Sequence, residues 1–272
     1  MSVHLESQQV IRHIGIDLDN TIIGNCIYQL QLFHKIELMK KYNSPRINIK
    51  KILQPQYNEK IKLLRPNFIY FMNKMKELYN TNVSFYIYTA STYNWANFQI
   101  NLIEKENNIK FNRPIFARNY CTINNKYLKD VNENIFKKSI TKILPKIKNS
   151  KDSDIIIIDD SDVYLNYKEY HIRCKEYKYT VFNDIKSFIP DYMSNDIING
   201  MYCPYNHSDC SVKNKLRLYK WLYKTLLKIN NKNEEYKNDK FWINLANAIE
   251  ANKIVEYTPD TIQQLTKIAN KF

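Results

Sequence analysis

Apolar positions along this 272-residue chain follow two rhythms. Unbroken aliphatic or β-rich stretches predict buried strands at Val10 to Ile16, Val83 to Tyr88 (VSFYIY) and Ile155 to Ile158. Shorter strands are expected at Ile115 and Phe116, and from Tyr179 to Phe182. Between these runs the apolar residues recur every three or four positions, as on a helix with one buried face. Phe68, Ile69, Phe71, Met72, Met75, Leu78 and Tyr79 make one such set after Pro66. Trp95, Phe98, Leu102 and Ile103 make a second, and Ile135, Ile140, Ile143 and Ile147 a third. Strands alternating with helices predict an α/β fold: a parallel, Rossmann-like sheet flanked by helices, with ligands at the carboxyl ends of its strands.

Two segments depart from the alternation. Residues 22–64 place Leu30, Phe33, Ile36, Leu38 and Met39 at helical spacing, followed by a short helical stretch from Ile52 to Ile61. Residues 185–272 read as largely helical. One helix is expected over Lys213–Ile229, another over Asp239–Ile254, and a last one begins at Thr258-Pro259, an N-cap followed by the proline favoured at the first helical position. Asn230 to Lys240 reads as an exposed loop. The chain therefore divides into an α/β domain, 1–184, interrupted by the 22–64 insertion, and a helical C-terminal extension, 185–272.

Composition narrows the chemistry. With only Gly15, Gly24 and Gly200, the chain holds neither of the glycine-rich loops that cradle nucleotide phosphates. A formal net charge of +14 suits a polyanionic substrate or partner. The insertion is strongly basic, with eight Lys/Arg against two Glu. Five scattered cysteines do not outline a disulfide framework. The N-terminus MSVHLESQQV has no apolar leader, and no aliphatic run approaches membrane-spanning length. The expectation is a soluble intracellular protein of the cytoplasm or nucleus.

Acidic residues gather where the strands end. Asp17 and Asp19 close the first strand in HIGIDLDNT, and Asp159 and Asp160 close another in IIIIDD. Residues i and i+2 of a strand share a face, so Asp17 and Asp19 can enter one site. Either pair could merely cap a strand or the next helix. Together, on neighbouring strand ends, they would crowd carboxylates that need a cation, and an all-oxygen donor set favours magnesium. Thr89, which ends VSFYIY, and Lys129 in YLKD add a hydroxyl and an ammonium of the kind that hold phosphoryl oxygens. An aspartate can serve as covalent nucleophile, and a second can protonate the leaving alkoxide and then activate water.

Asp17-Leu18-Asp19-Asn20-Thr21 matches the DxDxT motif, and with it the chain resembles the aspartate-nucleophile phosphatases of the haloacid dehalogenase superfamily. Leu64-Arg65-Pro66, Tyr88-Thr89-Ala90-Ser91, Phe116-Ala117-Arg118-Asn119-Tyr120-Cys121, Tyr127-Leu128-Lys129-Asp130 and Ile157-Ile158-Asp159-Asp160-Ser161 narrow the resemblance. They are similar to segments of the FCP/SCP-like phosphatases that act on the carboxy-terminal tail of RNA polymerase II, over about residues 8–184. The resemblance implies Asp17 as nucleophile and metal ligand. It implies Asp19 as acid/base that also lends its backbone carbonyl to the metal. Thr89 and Lys129 would bind phosphoryl oxygens, Asp160 would complete a Mg2+ site, and Asp159 would orient a bound water or Lys129. Ser91 joins the substrate-binding set. Arg118 is either near the phosphosubstrate, as in some relatives, or a surface salt-bridge residue.

The implied activity is Mg2+-dependent hydrolysis of phosphoserine or phosphothreonine in a protein, with RNA polymerase or the transcription machinery as partner. A polynucleotide or nucleotide phosphatase would use the same chemistry, and the basic insertion suits nucleic acid. From another class comes a binding or assembly module that keeps the fold. The insertion is helical and basic where relatives carry β structure, so their apolar peptide pocket does not transfer. Cys203, His207 and Cys210 offer three zinc ligands, with His171 or Cys174 as a fourth, or else are incidental thiols and a histidine in a loop.

Overall fold

The computed structural model describes residues 12–26, 62–80, 82–123, 136–147, 154–181, 232–254 and 256–271, with Gln29, Leu30, Phe33, Glu37, Tyr57, Arg217, Lys224 and Lys228 besides. At its centre lies a four-stranded parallel sheet. Strands β1 (Arg12–Ile16), β2 (Val83–Ile87), β5 (Ile155–Asp159) and β6 (His171–Arg173) are arranged in the order β2-β1-β5-β6. Ile14 sits between Phe85 of β2 and Ile156 of β5, and Ile158 faces Ile172 of β6. Strands β1 and β5 are buried along their whole length; β5 accordingly reads as an unbroken aliphatic run, whereas β1 also buries Arg12 and His13.

Strand alternation divides the core into two layers. Ile156 and Ile158 join Ile14 and Ile16 on one face. There they meet helices α1 (Phe68–Leu78) and α2 (Tyr93–Asn107) through Phe68, Phe71, Met72, Trp95 and Ile100. Ile155 and Ile157 face the other way, onto Tyr88, Phe116 and the short helix α3 (Ile140–Ile143). Helices therefore flank both faces, the α/β architecture expected from the alternation.

The C-terminal helices α4 (Phe241–Ala251) and α5 (Pro259–Ala269) pack on the first face. Trp242 is wholly buried, with its ring 5.0 Å from Phe68 and 4.8 Å from Phe71. Lys74 of α1 reaches Glu250 of α4 at 2.7 Å. Thr258 caps α5 by accepting from the Thr261 N–H, and Pro259 opens the helix. Among the described residues no helix is long and apolar enough to cross a membrane.

Several local expectations change. Tyr179 and Thr180 form no strand; their backbone groups are taken instead by the Asn25 N–H and by the side chain of Asn233. The fourth strand is β6, too short and polar to register as an aliphatic run, with only Ile172 of its three residues buried. The helix expected from Ile135 begins only at Ile140. Phe136–Lys137 is strand β4, antiparallel to β3 (Thr122–Ile123). Phe116 makes a single parallel bridge to Tyr88. Gly24 has no left-handed backbone; a Cβ there would lie 2.0 Å from the Tyr179 carbonyl oxygen, so close packing is what requires a glycine. Of the insertion, Gln29, Leu30, Phe33 and Glu37 are helical. Tyr57 is buried against α2, its N–H donating to Glu106 and its carbonyl accepting from Asn107.

Candidate active site

The chain leaves β1 and β5 at neighbouring points on the carboxyl edge of the sheet, so Asp17 and the Asp159–Asp160 pair emerge side by side. Oxygens of Asp17, Asp159 and Asp160 lie within 4.8 Å of one another, and all three residues are buried. Asn20 turns the loop beyond Asp17 with φ 59°, a left-handed conformation that asparagine tolerates.

Between the carboxylates stands Lys138. Its Nζ donates to Asp17 Oδ1 and to Asp159 Oδ2, both at 2.6 Å, with the ammonium 5.4 Å from the Tyr88 ring centre and 5.8 Å from that of Tyr164. Lys129, the lysine expected here, lies outside the described residues; among the described residues the ammonium that reaches the carboxylates is that of Lys138. Phe136 and Lys138, two positions apart at the end of β4, both face the site cavity.

Each remaining carboxylate has its own holder. Asp159 Oδ1 accepts from the Ser161 N–H and Oγ, and Oδ2 accepts from Tyr164 as well as Lys138, so both oxygens are engaged. Asp160 Oδ1 accepts from Thr21 Oγ1 at 3.0 Å, and the Asp160 N–H donates back to that hydroxyl at 3.1 Å. Asp19 turns toward α2, accepting from Ser91 Oγ at 2.7 Å and Trp95 Nε1 at 3.4 Å. Thr89 is buried at the end of β2 and accepts the Ser91 N–H. Trp95 was foreseen only as a helix residue, and Tyr164 and Ser161 were not foreseen as supports.

Arg118 is exposed but fixed. Its Nε donates to the Ala90 carbonyl at 2.8 Å, and its guanidinium lies 4.4 Å from the Phe136 ring centre. Among the described residues it makes no ion pair. With Asp17, Asp19, Thr89, Ser91 and Lys138 it lines one open cavity of about 500 Å³, whose opposite wall carries Leu30 and Trp95. Cys203, His207 and Cys210 lie outside the described residues. His171 is turned to the Asp159 carbonyl and Cys174 to Thr21.

The electrostatics are unbalanced. Burial pushes the Asp17 carboxyl well above its ordinary range, against the pull of Lys138 and with the push of Asp159, Asp160 and Asp19. Burial and the charge of Asp159 push Asp160 up to about 6. Burial would raise Asp159 too, but the charge and hydrogen bond of Lys138 bring it below its ordinary value. Asp19 is raised by burial, opposed by the hydrogen bonds from Ser91 and Trp95. Among the described residues one ammonium thus serves three clustered carboxylates. A buried, all-oxygen cluster short of positive charge fits a hard divalent cation such as Mg2+.

The family model described as NLI interacting factor-like phosphatase matches residues 13–190, from β1 past β6. The chain belongs to that family. Its members' match ends before α4 and α5, so the C-terminal helices are additional to the family region. Two solved structures are similar. One is the fission yeast RNA polymerase II CTD phosphatase Fcp1 bound to beryllium fluoride, 16% identical, covering 96% of this chain and 62% of that chain with a TM-score of 0.38. The other is Fcp1 described as an essential RNA polymerase II CTD phosphatase, 14% identical, covering 96% and 71% with a TM-score of 0.38. The chain thus spans less than two thirds of the first. No curated protein matches the chain.

Proposed function

We propose that the protein is a Mg2+-dependent phosphomonoesterase that works through an aspartyl-phosphate on Asp17 and acts on phosphoserine or phosphothreonine in a protein. The observation that carries this reading is the placement of Lys138 between Asp17 and Asp159 at the carboxyl edge of the sheet, with Asp19, held by Ser91 and Trp95, lining the same cavity. A nucleophilic carboxylate, a cation for phosphoryl oxygens and a separately held acid/base are the parts that two-step phosphate-ester hydrolysis needs.

Lys138 and the hydroxyl of Thr89 receive the phosphoryl oxygens and orient the phosphorus toward Asp17. The Asp17 carboxylate attacks phosphorus, and the ester oxygen leaves with the electron pair of its P–O bond. Asp19, whose pKa is raised by burial, supplies the proton to that oxygen. Asp19 then takes a proton from water as the water attacks the acyl-phosphate, which releases phosphate and restores Asp17. Asp17 and Asp160, with the Asp19 carbonyl, would hold Mg2+; Asp159 would support them from behind, since its oxygens are already engaged. Bound there, the cation would add positive charge beside these carboxylates and would stabilise charge on the transferring phosphoryl group.

The motif resemblance to phosphatases of the RNA polymerase II tail favours phosphopeptide substrates and a partner in the transcription machinery. The deciding experiment compares phosphoserine and phosphothreonine peptides with 3′- and 5′-phosphorylated oligonucleotides, each with Mg2+. Preferential peptide turnover, lost in Asp17→Asn, supports the proposal. Preferential turnover of oligonucleotides would replace it with polynucleotide phosphatase activity.

A further inference from the structure

Residues 174–181 run on from β6 without regular structure, and no step of the chemistry above uses them. One set of their hydrogen bonds goes to the chain that follows Asp19. The Tyr177 N–H donates to the Asn20 carbonyl and the Tyr179 carbonyl accepts the Asn25 N–H, both at 2.8 Å. Thr180 Oγ1 donates to the Asn25 carbonyl at 2.9 Å, and the Val181 carbonyl accepts from Gln29 Nε2 at 2.6 Å. Gly24, Asn25, Cys26 and Leu30, which these bonds flank, line the catalytic cavity. The Leu30 N–H donates in turn to the Cys26 carbonyl. One wall of the cavity is therefore tied to residues 179–181.

A second set of bonds goes to the C-terminal extension, beyond the family-matched region. Asn233 takes both backbone groups of Thr180: its Oδ1 accepts the N–H at 2.9 Å and its Nδ2 donates to the carbonyl at 2.7 Å. Asn270, at the end of α5, treats the start of the segment alike, accepting the Lys175 N–H and donating to the Arg173 carbonyl. A side-chain amide used in this way stands in for a neighbouring strand. Nearby, Asp239 pairs with Arg65 at 2.9 Å, and the Arg65 N–H donates to the Ile22 carbonyl. Thr180 is 1% exposed and Asn233 8%, so their bonds are shielded from water and costly to lose.

Resting on the phosphatase reading, we propose that Thr180 is a positioning residue for the substrate: its hydroxyl fixes the wall formed by Gly24, Asn25, Cys26 and Leu30, and Asn233 of the extension fixes Thr180. Lys138 and Thr89 hold the phosphoryl group, so this wall meets the peptide that flanks it. The extension thereby sets how well that flank fits without touching it.

The test uses the full chain and three readouts. They are kcat and KM for a phosphoserine peptide, inhibition by inorganic phosphate, and the rate at which N-ethylmaleimide labels each cysteine, resolved by peptide mass spectrometry. Cys26, on the wall, and Cys121, on the other face of the sheet, are each 7% exposed, which makes them a matched probe of local against global opening. Thr180→Val removes the hydroxyl and should raise peptide KM about tenfold, the scale of one buried hydrogen bond, with kcat within about threefold. Inorganic phosphate meets the phosphoryl-holding groups and not the wall, so its inhibition constant should stay within about twofold. Cys26 should label about tenfold faster, with Cys121 unchanged. Thr180→Ser, which restores the donor, should return KM and labelling to within about twofold of wild type. Asn233→Ala should follow the valine variant in direction.

Unchanged peptide KM or unchanged Cys26 labelling in folded Thr180→Val overturns the proposal. So does a serine variant as impaired as the valine one, or labelling of Cys26 and Cys121 that rises together. Should Asn233→Ala fail to fold, the two Thr180 variants still decide. A wild-type chain that hydrolyses no phosphate ester removes the phosphatase reading; selective labelling of Cys26 in Thr180→Val would then still support the hold on the wall, and its absence would overturn it.

Discussion

The same two strands carry a buried ion pair at each end, and the ends behave differently. At the amino end, Arg12 meets Asp154 at 2.8 Å, both nearly inaccessible. At the carboxyl end, the described residues bring one ammonium, that of Lys138, to Asp17 and Asp159 with Asp160 alongside. The first arrangement sets a guanidinium directly against a carboxylate and holds two strands together. The second crowds three buried carboxylates around a single described ammonium, an imbalance that a bound cation or protonation would relieve. Charge balance at the two ends thus separates a structural pair from a working one.

The sharpest way to break the comparison is to neutralise one aspartate at each end. Asp17→Asn should reduce aryl phosphate turnover by about 10³-fold or more, because the nucleophile is gone. Asp154→Asn should leave turnover near wild type while costing about 3–5 kcal/mol in chemical denaturation, the usual penalty for breaking a buried pair. Equal losses of activity in the two variants would erase the distinction.

Lys138→Met should lower kcat by about 10²–10³-fold, on the scale of losing a donor to the transferring group. It should also make the fold depend more on divalent cation. Mg2+ should raise the wild-type melting temperature, by about 2.7 kcal/mol of stability at a hundredfold excess over its dissociation constant. Asp160→Asn should abolish most of that gain, whereas Asp154→Asn should keep it.

The two ends should also titrate with opposite sign. Asp160 has its folded pKa pushed up to about 6 from 3.8, so the folded metal-free protein holds a proton that the unfolded chain has lost. Its contribution to stability is therefore present below about pH 4 and lost as pH rises through 6, by at most about 3 kcal/mol. Asp160→Asn should flatten that part of the metal-free profile. At the amino end, burial lowers the pKa of His13, so stability there falls as pH drops below about 6.5. His13→Gln should remove that acid-side loss without affecting catalysis.

The smallest effect concerns Asp19. Ser91→Ala removes a hydrogen bond that favours its ionised form, so its pKa should rise further. The alkaline limb of the kcat profile should move to higher pH, with kcat itself changed by less than about tenfold. An unshifted limb would remove Asp19 from the acid/base role.

Much of this could be read in the sequence because burial writes itself into aliphatic runs. The strands at Ile14 and Ile156, and the carboxylates that close them, were visible for that reason. Lys138 was not, because it follows a two-residue strand inside a polar stretch; Lys129, picked out by its YLKD segment, lies outside the described residues. The fourth strand escaped because one buried isoleucine makes no pattern. Nor could spacing reveal that Asp239 would reach Arg65, since that pairing spans 174 positions along the chain. Such pairings are made by the packing of α4 on α1, not by any local rhythm.

The contact between Gly24 and Tyr179 has a consequence for how the molecule is made. The loop beyond Asp17 emerges from the ribosome early. The groups that close it, Tyr179 and Tyr177, which donates to the Asn20 carbonyl, emerge much later, and Asn233, which holds Thr180, later still. At ordinary elongation rates that interval is roughly ten seconds or more. Throughout it the loop beyond Asp17 has been synthesised and lacks its clasp, so the growing chain carries that loop in unfinished form until Asn233 has been translated.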